Sequence, residues 1–332
     1  MNSKVRLHPV AFDSFGVKGM CTRIETKDLV VTIDPGASME TDIFPLPEEE
    51  RQKLLKRFQE AIFHSCLRSS IIVITHYHLD HLTLAREPQL YSGKVLFAKS
   101  LDDLPQKQVE TAQRFFKSID GLPKEIIWAD GRQFKFKKTV VGFSLPLWHG
   151  QAEAEPGRVI MVYVKRGRET VLVSSDVAGA TDPVTVEAVT ALNPVTAVID
   201  GYPTYLKDSP AADIEVIKSI INLCRLLALP NLKTLIVDHH LARDYRYPAL
   251  FQLLYWKGKE LRKRFGTAAE IAGKRSAVLE GLEKYGTTRW QRWQPIGIKE
   301  AQRTMEKAVA EASLDKKWLD EFSRWVISPS KG

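Results

Sequence analysis

The stretch Ile71-Ile72-Val73-Ile74-Thr75-His76-Tyr77-His78-Leu79-Asp80-His81 decides how the rest of the chain is read. Its first half is a β-branched apolar run with the length of a buried strand. Its second half places three imidazoles and a carboxylate within six residues. Groups this polar cannot share the core of the strand, so they belong on the loop at its end. Imidazole nitrogens and a carboxylate oxygen suit a borderline cation such as zinc. Alternate residues point in different directions, so one cation cannot easily use all four, whereas two can. The ordinary alternative is a solvated polar loop or a helix-capping histidine. It suits a lone histidine better than His-x-His-x-Asp-His behind an apolar run.

Working outward, the other histidines repeat the placement. Of eight, only His8 and His64 lie away from the ends of apolar strands. His149 follows the strand 139–145 through Pro146-Leu147-Trp148, and His239 and His240 follow Thr234–Val237 and Asp238. Asp176 closes the strand 170–175 in the same manner. Strand ends at one edge of a sheet gather in space, so these groups could converge at one mouth. His64 falls on or near an amphipathic helix and reads as structural.

That helix begins after Pro45 and Pro47 with Glu48-Glu49-Glu50, carries Leu54, Leu55, Phe58, Ile62 and Phe63 at helical spacing, and should end near Cys66. Before it, 5–12 and 20–33 read as strands, the second running into the turn Asp34-Pro35-Gly36. After it come strands at 94–99, 125–129, 133–137 and 139–145, a helix at 106–117, and a hairpin pairing 159–164 with 170–175. Helices at 182–192 and 210–228 then alternate with strands at 195–199 and 234–237. Hairpins therefore dominate the first half and strand–helix alternation the second. From 248 onward the chain reads as helical. Thr267-Ala268-Ala269-Glu270 is a capping box for a helix through about Tyr285, and amphipathic helices follow at 299–312 and 314–326.

With 332 residues, 44% hydrophobic and 27% charged, the chain has the composition of a soluble globular protein with a sizeable core. No apolar run approaches the roughly 20 residues a membrane span needs, and Met1–Arg6 lacks a signal-peptide core. A cytoplasmic protein with no membrane partner is expected. Cys21, Cys66 and Cys224 are far apart in apolar contexts, which suits reduced core thiols better than metal ligands. Residues 1–240 carry 29 Lys+Arg and 29 Asp+Glu, and 241–332 carry 19 and 11, so the entire net charge of +8 lies in the last 92 residues. Five of the seven tryptophans are there too: Trp256, Trp290, Trp293, Trp318 and Trp325. A nucleic-acid partner is one reading of this asymmetry, and a basic helical surface is the other.

Taken in chain order, these residues resemble the metallo-β-lactamase fold superfamily. His76-x-His78-x-Asp80-His81 matches its signature, His149 its next histidine, Asp176 its bridging aspartate, and His239 or His240 its final histidine. Asp34 matches the early aspartate that supports the metal loop from behind. The segments Ala11–Gly16, Ser174–Val177, Asp200–Tyr205 and Val237–Asp244 further resemble an uncharacterised archaeal family of metal-dependent hydrolases with this fold. The likeness covers about 1–285, leaving 286–332 as a basic, Trp-rich helical extension.

The resemblance implies a four-layered αβ/βα sandwich with two divalent metal ions at one edge of the sheets, zinc first and manganese or iron as alternatives. His76, His78 and His149 would hold one, Asp80, His81 and His239 the other, with Asp176 bridging. His239 is preferred over His240 because it follows its strand more directly, and His240 would then be supporting or catalytic. The implied chemistry is hydrolysis by a metal-bridging hydroxide that Asp80 helps to orient. The expected substrate is a small-molecule ester, lactone or phosphoester. Asp200, Tyr202, Tyr205 and Arg243 are candidates to hold it, although each could equally be a core or loop residue. A nuclease acting on RNA or DNA is the alternative, supported by the basic tail. A binding protein whose metal only staples the fold is a third.

Overall fold

The computed structural model describes residues 4–83, 88–150, 156–206, 210–288 and 297–327. Two twisted sheets face each other, and helices cover both outer faces. The first sheet runs in chain order: β1 (Arg6–Phe12), β2 (Met20–Glu25), β3 (Val30–Ile33), β4 (Ile71–Ile74), β5 (Val95–Ala98) and β6 (Glu125–Trp128). Strands β1 to β3 are antiparallel, but β3 to β6 are parallel. The expectation of hairpins throughout the first half is corrected here. Crossovers return the chain between these parallel strands, helical from β3 to β4 (48–68) and from β5 to β6 (106–118). The expected strand 20–33 is likewise two strands, split where Thr26 folds its hydroxyl onto the backbone of Asp28 and Leu29.

The second sheet comprises β7 (Gln133–Phe136), β8 (Thr139–Phe143), β11 (Val162–Arg166), β12 (Glu169–Val173), β13 (Thr196–Asp200), β14 (Thr234–Asp238) and β15 (Arg264–Gly266). Its order is β15-β14-β13-β12-β11-β8-β7, parallel from β12 to β15. Between β8 and β11, β9 (Leu147–Trp148) and β10 (Arg158–Val159) pair as a short ribbon.

Alternation along each strand assigns its side chains to layers. Val73 and Phe97 meet Val141, Val162, Val173, Val198 and Ile236 between the sheets. Ile72, Ile74 and Leu96 face outward onto Ile62 and Cys66 of α1 (Glu48–Arg68) and Phe115 of α2 (Gln106–Ser118). On the other face, Leu172, Ile199, Leu235 and Val237 meet Ile217, Ile221 and Cys224. Those three belong to α4 (Pro210–Leu227), which follows α3 (Pro183–Leu192). Parallel strands buried on both faces read as continuous apolar runs, which is why β4 and β14 are so apolar.

Beyond β14 come α5 (Tyr247–Leu250), α6 (Gln252–Glu260), α7 (Ala268–Ile271) and α8 (Ala277–Tyr285). Thr267 and Glu270 form both halves of the capping box. The helix they open stops after four residues, not at Tyr285, because Gly273 turns left-handed (φ +73°) and the chain restarts at Ala277. The last helices, α9 (Ile298–Ala310) and α10 (Lys316–Ile327), pack on α4 and share its core through Met305, Trp318 and Phe322. Arg225 of α4 pairs with Glu321 and lies 5.0 Å from the Trp318 ring. Trp290 and Trp293 lie outside the described residues. No helix among the described residues is long and apolar enough to cross a membrane.

Because Trp318 is buried in the core that covers the second sheet, Trp318→Ala should lower the unfolding free energy by about 3 kcal/mol. Chemical denaturation should still show one transition. A separate early transition would mean that the last two helices unfold independently.

Candidate metal centre

All the clustered histidines leave the C-terminal ends of strands at one edge of the sandwich. β4 delivers His76, His78, Asp80 and His81, β9 delivers His149, β12 delivers Asp176, and β14 delivers His239 and His240. Two of these exits are turned by non-glycine residues in the left-handed region, Ser175 after β12 (φ 59°) and His239 after β14 (φ 21°), as is the neighbouring exit of β3 at Asp34 (φ 47°). Such conformations persist only where the surroundings over-determine them. The loop carrying His81 also passes over Gly36 so closely that a Cβ there would lie 2.3 Å from Leu82 N and 2.5 Å from His81 C. That close approach explains the glycine after Asp34-Pro35.

Two main donor groups result, and they meet at Asp176; His240 also comes within ligand distance of Asp176 and His239. In the first, His76 Nε2 lies 3.1 Å from His78 Nδ1 and 3.5 Å from Asp176 Oδ2, while His149 Nε2 lies 3.1 Å from Asp176 Oδ2. In the second, His81 Nε2 lies 3.3 Å from His239 Nε2 and 3.0 Å from Asp176 Oδ1. His239 Nε2 is also 3.5 Å from Asp176 Oδ2 and 3.9 Å from Asp80 Oδ2. Donors held tetrahedrally about 2.0–2.1 Å from a zinc ion are roughly 3.3–3.4 Å apart, so both groups have the spacing of a coordination shell. Asp176 Oδ1 is buried with no hydrogen-bond partner despite the His81 nitrogen at 3.0 Å. These atoms point at a common centre instead of at each other. The residues present therefore fit two divalent cations.

The outer nitrogens of the rings are anchored. Asp34 accepts Thr75 N (2.8 Å) and Thr75 Oγ1 (2.6 Å) and takes His81 Nδ1 at 3.0 Å. Asp13 Oδ1 lies 2.8 Å from His239 Nδ1, and Asp200 Oδ1 lies 2.9 Å from His240 Nδ1. Thr75 and Ser175 hydroxyls each approach His76 Nδ1 at 3.2 Å. Burial, reinforced by His76 and His149, pushes His78 down to about 3, so its ring is neutral and available as a donor. Burial also opposes charge on His81, but Asp176 and Asp34 outweigh it and push the ring up to about 10. Burial would raise Asp176, yet His81, His239 and His76 hold it well below the usual carboxylate range. Protons and cations are thus alternative ways of balancing the same buried carboxylates.

The substrate candidates are placed less openly. Tyr202 packs in the core of the second sheet. Asp200 is fully buried and accepts Ala178 N (2.8 Å) besides holding His240. Burial, then Asp176, pushes its carboxyl up to about 7. Arg243 is buried, donates to Asp13 Oδ2 and to Tyr205 Oη (2.6 Å), and lies 3.6 Å from Asp80 Oδ2. These side chains build the wall of the site. Three of its members are not among the expected site residues, although Asp13 lies in the family-like segment Ala11–Gly16. Asp13 sits in a turn after β1, Glu40 lies in a loop 3.9 Å from Arg243, and Gln108 of α2 sends its amide to within 3.4 Å of His78 Nε2.

The sandwich, with its ligand-bearing loops at one edge, is a metallo-β-lactamase fold. No protein-family model matches the chain. The chain belongs to the UPF0282 family: it is 33% identical over 289 residues to the UPF0282 protein of Metallosphaera sedula, across 84% of this chain and 92% of that one. Unliganded yeast PDE1 superposes over 79% of this chain and 96% of that chain, with a TM-score of 0.50 and 12% identity, a likeness of fold. The metallo-β-lactamase fold protein YhfI from Bacillus subtilis aligns over 71% of this chain and 85% of that one, with a TM-score of 0.46 and 12% identity.

Two metals per chain are expected by elemental analysis, and Asp176→Ala should lose at least one; full occupancy in that variant removes Asp176 from both shells. His239→Ala should weaken metal binding more than His240→Ala, since His239 Nε2 lies 3.3 Å from His81 Nε2 and 3.9 Å from Asp80 Oδ2. Titration of both variants checks the order, and the reverse order transfers the ligand role to His240.

Proposed function

We propose that the protein is a metal-dependent hydrolase that holds two divalent cations, zinc first, and cleaves an ester, lactone or phosphoester of a small molecule. The observation that carries this is the pair of donor groups sharing Asp176, each with ligand-shell spacing and each at the open ends of the strands. Bound there, divalent cations supply Lewis acidity to the scissile group and acidify water toward neutrality.

The chain's own groups account for the rest. Asp80, with a fifth of its side chain exposed and Arg243 behind it, is placed to orient water and accept its proton. His240 gives Nδ1 to Asp200 and keeps Nε2 for exchanging a proton with a leaving group. The buried wall of Arg243, Tyr205 and Asp13 excludes water from the inner side and fixes Asp80. Polar groups already paired in this way leave specificity to the rim.

The position of some of the basic tail supports a small substrate over a nucleic acid. Arg262 and Arg264 sit at the start of β15, and Arg264 is in register with Thr234 at the start of β14. The ligands leave the other end of β14, roughly 16 Å away at about 3.3 Å per residue. A phosphate backbone bound on that surface would lie away from the donors.

A screen over lactones, thioesters, phosphodiesters and single-stranded RNA, with added zinc or manganese, tests the reading. Asp80→Asn should fold normally and lose at least about a hundredfold in kcat on whichever substrate turns over. Full activity in the folded variant would sink the role given to Asp80. Turnover of RNA alone would favour the nuclease alternative.

A further inference from the structure

The two halves of the centre differ in what stands behind their histidines. In the half formed by His81, His239 and Asp80, both outer nitrogens face fully buried carboxylates: Asp34 at 3.0 Å and Asp13 at 2.8 Å. A carboxylate accepts the Nδ1 proton, fixes Nε2 as the donor, and makes the ring a stronger ligand. In the half formed by His76, His78 and His149, the groups behind are neutral. His76 meets two hydroxyls, and His78 Nε2 meets the amide nitrogen of Gln108. The orientation of that amide is set, because its oxygen accepts Tyr77 N (2.9 Å) and its nitrogen donates to Pro156 O. An amide nitrogen only donates, so it favours an unprotonated Nε2 and opposes the tautomer that a ligating Nδ1 requires.

Fixed charge points the same way. Around the His81–His239 half stand Asp80, Asp34 and Asp13, offset by the single guanidinium of Arg243. Glu40, whatever its proton does, adds no positive charge. The His76–His78–His149 half has its share of Asp176, and Asp34 reaches His76 only through the Thr75 and Ser175 hydroxyls. Arg243 also serves geometry. It grips Asp13 through Nε and reaches toward Asp80, so one side chain braces both the ligand carboxylate and the carboxylate that orients His239. Asp13 is held on its own account by Gly19 N at 3.0 Å.

We infer that the two cation sites fill in a fixed order, the Asp80–His81–His239 site first, and that Asp13, braced by Arg243, is the positioning residue that sets this order. The inference rests on the two-cation reading above and adds which site is the stronger and why. Asp13 acts on the metal only through the His239 ring. It comes from a turn 226 residues away from His239 in the chain.

Crystals of the full chain prepared with one equivalent of Zn2+ decide the order by anomalous scattering. Zinc among Asp80, His81 and His239 supports the inference. Zinc among His76, His78 and His149 overturns it while leaving the two-cation reading intact, and zinc in neither group overturns both. Asp13→Asn should weaken the first equivalent of Zn2+ about 10–100-fold in a chelator competition. Gln108→Ala should leave the first equivalent unchanged and affect only the second. Melting of the metal-free variants separates a structural role: Asp13→Asn with a lowered melting temperature but undiminished zinc affinity would make Asp13 a fold residue and overturn its assignment.

Discussion

The structure depends on a charge-balance constraint at the centre of one sheet edge. Asp176 is almost fully buried, and its two oxygens are surrounded by nitrogens of His76, His81, His149 and His239. Asp34, Asp13 and Asp200 lie buried just behind. Carboxylates removed from water are costly unless paired, and imidazoles alone supply charge only by taking up protons. A polar cluster of this size among apolar strands is tolerable because most of its outer atoms are tied to specific donors or acceptors, as at Asp34, Asp13 and Asp200. The anchors are placed accordingly. Backbone strain at Asp34, Ser175 and His239 is concentrated where the strands hand over to the cluster.

Much of this was legible in the sequence because the candidate ligands at strand ends obey a local rule. An apolar β-branched run followed within three residues by His or Asp marks a strand and its exit together, and β4, β12 and β14 all show it. Asp13 escaped because its meaning is not local. It becomes part of the site only when the end of β1 in the first sheet meets the turn after β14 in the second. Arg243 was visible as a charged group near a ligand, but burial between Asp13 and Tyr205 changes it from a candidate substrate clamp into part of the wall. Tyr202 reads as a site residue beside Asp200-Gly201, yet it faces the core.

The misread elements have physical causes too. An apolar run does not announce whether its neighbour is parallel or antiparallel, so β3 to β6 could be read as hairpins until the crossovers α1 and α2 were placed. The single expected strand 20–33 breaks at Thr26, whose hydroxyl competes with the ladder for backbone N–H groups. At Thr267 the capping signal was sound, but a good start does not fix a length. Gly273 ended the helix within a turn and a half.

The same contacts that orient the ligands also join the two sheets. Asp238 accepts Ser14 N (3.0 Å) with one oxygen and Ala268 N (2.7 Å) with the other, and Ser14 Oγ accepts Ala269 N (3.0 Å). Burial, followed by the neighbouring Asp13 charge, pushes the Asp238 carboxyl up to about 7. Asp238 precedes His239 directly, and Ser14 follows Asp13 directly. One short network therefore ties the turn after β1, the end of β14 and the start of α7 into a single rigid corner. Ligands borne on loops are ordinarily less well placed than those on strands or helices. Here the loops on the Asp13–His239 side are fixed by buried backbone bonds to the opposite sheet. The half of the candidate centre built on that corner is consequently defined by the fold itself.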